Sequence, residues 1–106
     1  MITRSVLDTR YLAYPVEFVV GGTIQNPSAD PVAFAFMPSP PDANPGVSDW
    51  HTGSWITTTS GTYAAQILLG PGVGGLALAA GVYNVWIRIT DNPEVPVELI
   101  DLLQLL

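Results

Sequence analysis

Residues 81–98 read Gly-Val-Tyr-Asn-Val-Trp-Ile-Arg-Ile-Thr-Asp-Asn-Pro-Glu-Val-Pro-Val-Glu. In an extended chain successive side chains point to opposite faces, so Tyr83, Val85, Ile87 and Ile89 share one side and Asn84, Trp86, Arg88 and Thr90 the other. Strict alternation over eight residues predicts a strand with one face on a core. Asp91-Asn92-Pro93 is the expected stop, because Asn and Asp favour turns and Pro removes a ladder donor. Arg88 is the only charged residue between Asp49 and Asp91.

Working outward, other short apolar runs are separated by turn residues. Val16–Val20, opened by Pro15 and closed by Gly21-Gly22, reads as a strand with Glu17 opposite its apolar face. Val32–Met37 is apolar on both sides and is expected at the centre of a sheet, covered twice. Trp50–Thr59 and Thr62–Leu69 flank the two-residue turn Ser60-Gly61, a hairpin signal. In the second of these, Tyr63, Ala65, Ile67 and Leu69 share a face. Val95–Leu106 is the last strand. There Leu99, Leu103 and Leu105 lie on one parity and Ile100, Leu102 and Leu106 on the other, so both faces are expected to be covered. A bulge between Asp101 and Gln104 would change that parity. Gly70–Gly75 is expected as a flexible loop, and Pro38–Ser48, with four prolines, as an exposed or contact loop with nothing to bury.

Six strands and a possible seventh, punctuated by ten Gly and ten Pro over 106 residues, predict an all-β chain. The expected form is an Ig-like antiparallel β-sandwich of about seven strands, with an open barrel as the alternative. Residues 1–14 are expected to be an N-terminal arm or edge strand, and residues 15–106 the sandwich. The arm carries +1 through Arg4, Arg10 and Asp8, whereas the remainder carries −7. That asymmetry predicts that the arm reaches an acidic surface, unless it is simply an edge strand of its own sandwich.

Composition excludes several classes. With no cysteine, disulfide scaffolds and thiolate metal sites are ruled out. With no lysine, three arginines and a net charge of −6, nucleic acid is not an expected partner. No apolar run approaches the roughly 18 residues of a membrane span, so no membrane partner is expected. The opening residues lack an apolar h-region, which predicts no signal peptide and synthesis in a cytoplasm. Charged residues make up only 11%, which suits a surface partly covered in an assembly.

No motif states a chemistry. Asp49, His51 and Ser54 lie within one short stretch, whereas catalytic triads are assembled from separate elements. A solvated loop histidine is the expectation, and no catalytic residue, cofactor or metal is assigned. Asp42, Asp49, Asp91, Glu94, Glu98 and Asp101 lack the spacing of a calcium loop. Trp50 and Trp55 could form an aromatic platform for sugar rings. Lying five apart on one strand they would face opposite sides, one in the core and one on the rim. Trp86, beside Arg88 on the outer face, requires cover from its own chain or from another subunit. Candidate interface residues are therefore Arg4, Arg10, Trp50, Trp55, Trp86 and Arg88.

The segment Ala79–Val97 resembles small virion structural proteins of tailed actinobacteriophages, encoded near the capsid and head-to-tail genes. The similarity extends upstream through Asp49-Trp50, Gly53-Ser54-Trp55, Tyr63 and Gly70-Pro71-Gly72, and spans roughly residues 30–100. The apolar end Leu99–Leu106 departs from that pattern. The resemblance implies a non-enzymatic virion protein, made in the host cytoplasm and carried as a homo-oligomer on the particle. Its implied partners are the major capsid protein or other virion proteins, and its implied role is capsid decoration. A head-to-tail or tail subunit and a host-glycan-binding module are the alternatives.

Overall fold

The computed structural model describes residues 1–16, 18–20, 23–25, 30–57, 63–90 and 95–106. The expected breaks at Gly21-Gly22, Ser60-Gly61 and Asp91-Asn92-Pro93 lie outside the described residues, as do Glu17 and Glu94.

The strand read from residues 81–98 is present as β9 (Gly81–Ile89). Val85, Ile87 and Ile89 enter the core, and Tyr83 packs against it. β9 sits between β5 (Val32–Pro38) and β10 (Val97–Leu105), antiparallel to both. β1 (Ile2–Arg4) extends this sheet in parallel beyond β10, and the two-residue β6 (His51–Thr52) extends it beyond β5. The second sheet has the order β2 (Arg10–Val16), β8 (Tyr63–Leu69), β7 (Ser54–Thr57). β3 (Phe18–Val20) and β4 (Thr23–Gln25) pair with each other as a separate hairpin. Grouping β2, β8 and β7 against β5, β9 and β10 gives the Greek-key order of an Ig-like sandwich. Among the described residues the two sheets share no ladder, which favours the sandwich over the barrel alternative.

The core lies between the sheets. Val32, Phe34 and Phe36 of β5 meet Leu12 of β2 and Ala65, Ile67 and Leu69 of β8, with Leu103 and Leu105 of β10 closing one side. Full burial of a Leu or Phe stabilises by about 1.5–3 kcal/mol, and Phe34, Leu12, Leu103 and Val85 are almost completely enclosed.

The N-terminal strands depart from expectation. The sequence predicts a strand opened by Pro15, yet β2 runs through that residue, with Pro15 opposite Ala64. On an edge strand the missing N–H can face away from the ladder, so proline is tolerated there. Leu12, Tyr14 and Val16 point inward, and Tyr11, Ala13 and Pro15 are exposed. β2 also crosses the expected boundary after residue 14, so the first fourteen residues contribute strands to both sheets. Arg4 of β1 donates from Nη2 to the Tyr11 carbonyl of β2 at 3.1 Å, bridging the two sheets along one side. Tyr14 makes a second bridge, donating its hydroxyl to Asp101 Oδ2 at 3.1 Å.

Trp50–Thr59, expected as one strand, changes sheets at Gly53. His51 and Thr52 pair with β5, whereas Ser54–Thr57 pairs with β8. Gly53 donates its N–H to the Val32 carbonyl at 2.9 Å, and its Cα lies against the Phe34 ring. A Cβ there would stand 2.8 Å from both Phe34 Cε2 and the Gln66 carbonyl oxygen.

Gly70–Gly75 is tied down rather than loose. Gly70 donates to the Leu76 carbonyl, Gly75 to the Gly72 carbonyl, and Gly72 to Thr9 Oγ1. Gly70 has a φ of 131°, and a Cβ on it would meet the Asp8 carbonyl oxygen at 2.0 Å, so only glycine fits.

Gly53→Ala is expected to lower folding stability by about 1–3 kcal/mol, through overpacking against Phe34. Chemical denaturation of the purified variant measures this, and an unchanged midpoint would mean that the crossing between sheets relaxes freely.

Candidate interaction surface

The register of β9 with its neighbours arranges the outer face of the five-stranded sheet in rows. Met37, Asn84 and Leu102 form one row; Ala35, Trp86 and Leu99 the next; Ala33, Arg88 and Val97 the third. Directly opposed residues share a face, so all nine point away from the core. A row at one end, Val82, Gln104 and Thr3, borders them.

The β5 side of this surface is covered by the chain's own segment between β5 and β6. Asp42 accepts a hydrogen bond from Asn84 Nδ2 at 2.9 Å, and Ser39 Oγ bonds the same carboxylate oxygen. A single 3-10 turn at Val47–Asp49 brings Trp50 back to the sheet, where the Arg88 guanidinium lies 4.7 Å from its ring centroid. Such a cation–π pair is worth about 0.5–1 kcal/mol at an exposed site. Held over Asn84 and Arg88, the segment crosses the outer side of β5. Ala33, Ala35 and Met37 are therefore at most 9% exposed. The proline-rich loop expected to have nothing to bury is the second cover of β5.

The β10 side is bare. Val97, Leu99 and Leu102 are 45%, 52% and 39% exposed. This corrects the expectation that both faces of the last strand are covered. The cause is a bulge between Leu99 and Asp101, just before the Asp101–Gln104 interval expected for one. Ile100 is the extra residue and packs against the core, so Leu99 falls on the same face as Leu102 instead of joining Leu103 and Leu105 inside.

The six candidate residues separate into three groups. Trp50, Trp86 and Arg88 gather on the outer face, with Trp86 flanked by Ala35 and Leu99. Its Nε1 is buried and has no acceptor among the described residues. Trp55 opposes the buried Ala65, packs against the core and donates Nε1 to the Asp30 carbonyl at 2.7 Å. Trp50 and Trp55 thus serve different surfaces and do not form one platform. Arg4 and Arg10 lie on β1 and β2, each at the end of its sheet's strand order. Arg10 pairs with Asp8 at 3.2 Å, and burial, with the nearby Arg10 charge, lowers the pKa of Arg4. What sequence reasoning missed is Val97, Leu99 and Leu102, whose common face depends on the bulge.

His51 pairs with Phe34 in the edge strand β6. Among the described residues no three His, Cys, Asp or Glu side chains cluster as metal ligands, and no helix is long and apolar enough to cross a membrane. An open cavity of about 230 Å3 lies between the sheets, walled by Tyr14, Val16, Ile87, Ile89 and Ile100 with Glu98 at its side. Beside it, burial and the neighbouring Asp101 carboxylate raise the pKa of Tyr14 well above the usual phenol. Burial works to raise Asp101, but the Leu102 N–H, the Tyr14 hydroxyl and the Met1 ammonium together hold it below the usual carboxylate value.

Comparison of the chain with protein-family models, with curated proteins and with solved structures finds no match.

Asp42 makes the cover over β5 acid-sensitive. Hydrogen bonds from Ser39 and then Asn84 hold its pKa below the ordinary 3.8. A carboxyl with a depressed folded-state pKa contributes stability above its unfolded value, and that contribution fades as pH falls through the folded value. Trp50 fluorescence is expected to change below the ordinary carboxylate pKa, and Asp42→Asn to lose this transition. The same acid transition in the variant would assign it to another carboxylate.

Proposed function

We propose that the chain is a non-enzymatic structural protein of a tailed-phage particle, most simply a decoration protein on the head, bound to the major capsid protein. The observation that carries the reading is the similarity of Ala79–Val97, and of the tryptophan-bearing stretch upstream, to virion proteins of actinobacteriophages. The surface agrees with that reading. A sandwich with few charges, cross-bridged sheets and an exposed apolar strip suits a part that works by contact within a symmetric assembly. Trp50 and Trp55, the pair that would carry glycan binding, occupy different surfaces. A head-to-tail or tail subunit would use the same fold in a ring.

Mass spectrometry of purified particles is expected to find the protein. Its copy number then separates the two virion roles: shell decoration requires on the order of hundreds of copies, and a ring roughly a dozen or fewer. Particles free of the protein would overturn the proposal.

A further inference from the structure

The bare strip on β10 has a specific structural origin. Without the bulge at Ile100, Leu99 would share the inward parity of Leu103 and Leu105. With it, Val97, Leu99 and Leu102 stand outward in successive rows, beside Trp86. A bulge leaves a residue out of the ladder and is kept where it re-aims a side chain. Here the side chain it re-aims is a leucine, turned toward solvent.

Charge indicates what covers it. The chain carries −6, so most approaches between two copies bring carboxylates together. Apart from Asp42, held over Asn84 at the β5 margin, no carboxylate stands on the outward side of β9 and β10, because Glu98 and Asp101 oppose Ile87 and Val85 on the other face. Arg88, the one charge in these rows, already lies over Trp50. The patch also has the layout of a contact, with an apolar centre and a polar border of Gln104 and Thr3. The complementary surface for an uncharged apolar strip is another such strip, and a two-fold axis supplies one from an identical copy.

We infer that two copies of this chain pair through the outer faces of β9 and β10, about a two-fold axis near Leu99. The exposed apolar side chains amount to on the order of 300 Å2 per copy. With its polar border the contact buries roughly 1,000 Å2 in total, at the low end for specific interfaces. The dimer is accordingly weak in solution and is favoured where copies are concentrated. This pairing does not rest on the virion reading, since it follows from the chain's own surface.

The test is sedimentation equilibrium of the intact chain up to roughly 1 mM, a range that covers weak association. Wild type is expected to show a monomer–dimer equilibrium. Leu99→Asp and Leu99→Arg each place like charges across the axis and are expected to raise the dissociation constant about tenfold or more. An equimolar mixture of the two is expected to regain the dimer as a heterodimer. Thermal melting checks that both variants fold. Should either fail, the absence of cysteine in the chain provides a second measurement. Leu99→Cys is then expected to cross-link to its own counterpart with a short bis-maleimide, whereas Ala13→Cys, exposed on the other sheet, is not. A strictly monomeric wild type, dimers unaffected by either charge, or equal cross-linking at both positions would overturn the pairing. None of these outcomes would bear on the protein's presence in particles.

Discussion

The antiparallel ladders that β9 makes with β5 and β10 decide which side chains of three strands share a face. Because the side-chain period is two, a slip of one residue in either ladder would exchange the core set for the outer set. The alternation in β9 resists such a slip. Val85, Ile87 and Ile89 lose water on one side, whereas Arg88 on the other cannot be buried without a partner. The register thereby carries Phe34 and Leu103 into the core and Ala35 and Leu99 outward, and the second sheet packs against a surface already defined.

The outer face then divides by how the chain returns to it. From the end of β5 the chain crosses back over its own strand and is held at Asn84 and Arg88, covering Ala33, Ala35 and Met37. Among the described residues nothing comparable passes over β10. The outcome is a surface whose exposure rises from β5 through β9 to β10, ending in Val97, Leu99 and Leu102. An apolar centre next to a shelf formed by the chain itself is a geometry suited to a partner.

Along the edge formed by β1 and β10 the sandwich is cross-linked by polar groups rather than by a shared strand. Arg4 reaches the Tyr11 carbonyl, and Tyr14 reaches Asp101. Arg4 thereby has a contact within its own domain, and Arg10 pairs with Asp8 while staying exposed.

Much of the architecture was legible in the residues. The inward set of β9, the burial of β5 on both faces and the face carrying Ala65, Ile67 and Leu69 agree with the residue pattern, because a strand's two faces are determined by its own period. The separation of Trp50 from Trp55 was also foreseeable, although the reason proved to be a strand that changes sheets at Gly53. Pro15 misled because its cost depends on whether the strand has a neighbour on that side, and local sequence does not say so. The bulge at Ile100 and the path of residues 38–50 over β5 were decided by tertiary structure alone. A bulge depends on which residue best fills the gap opposite β2 and β8, and a loop's cover depends on what faces it across space. Those two features create the bare strip, so the fold class belongs to the sequence pattern and the surface belongs to the packing.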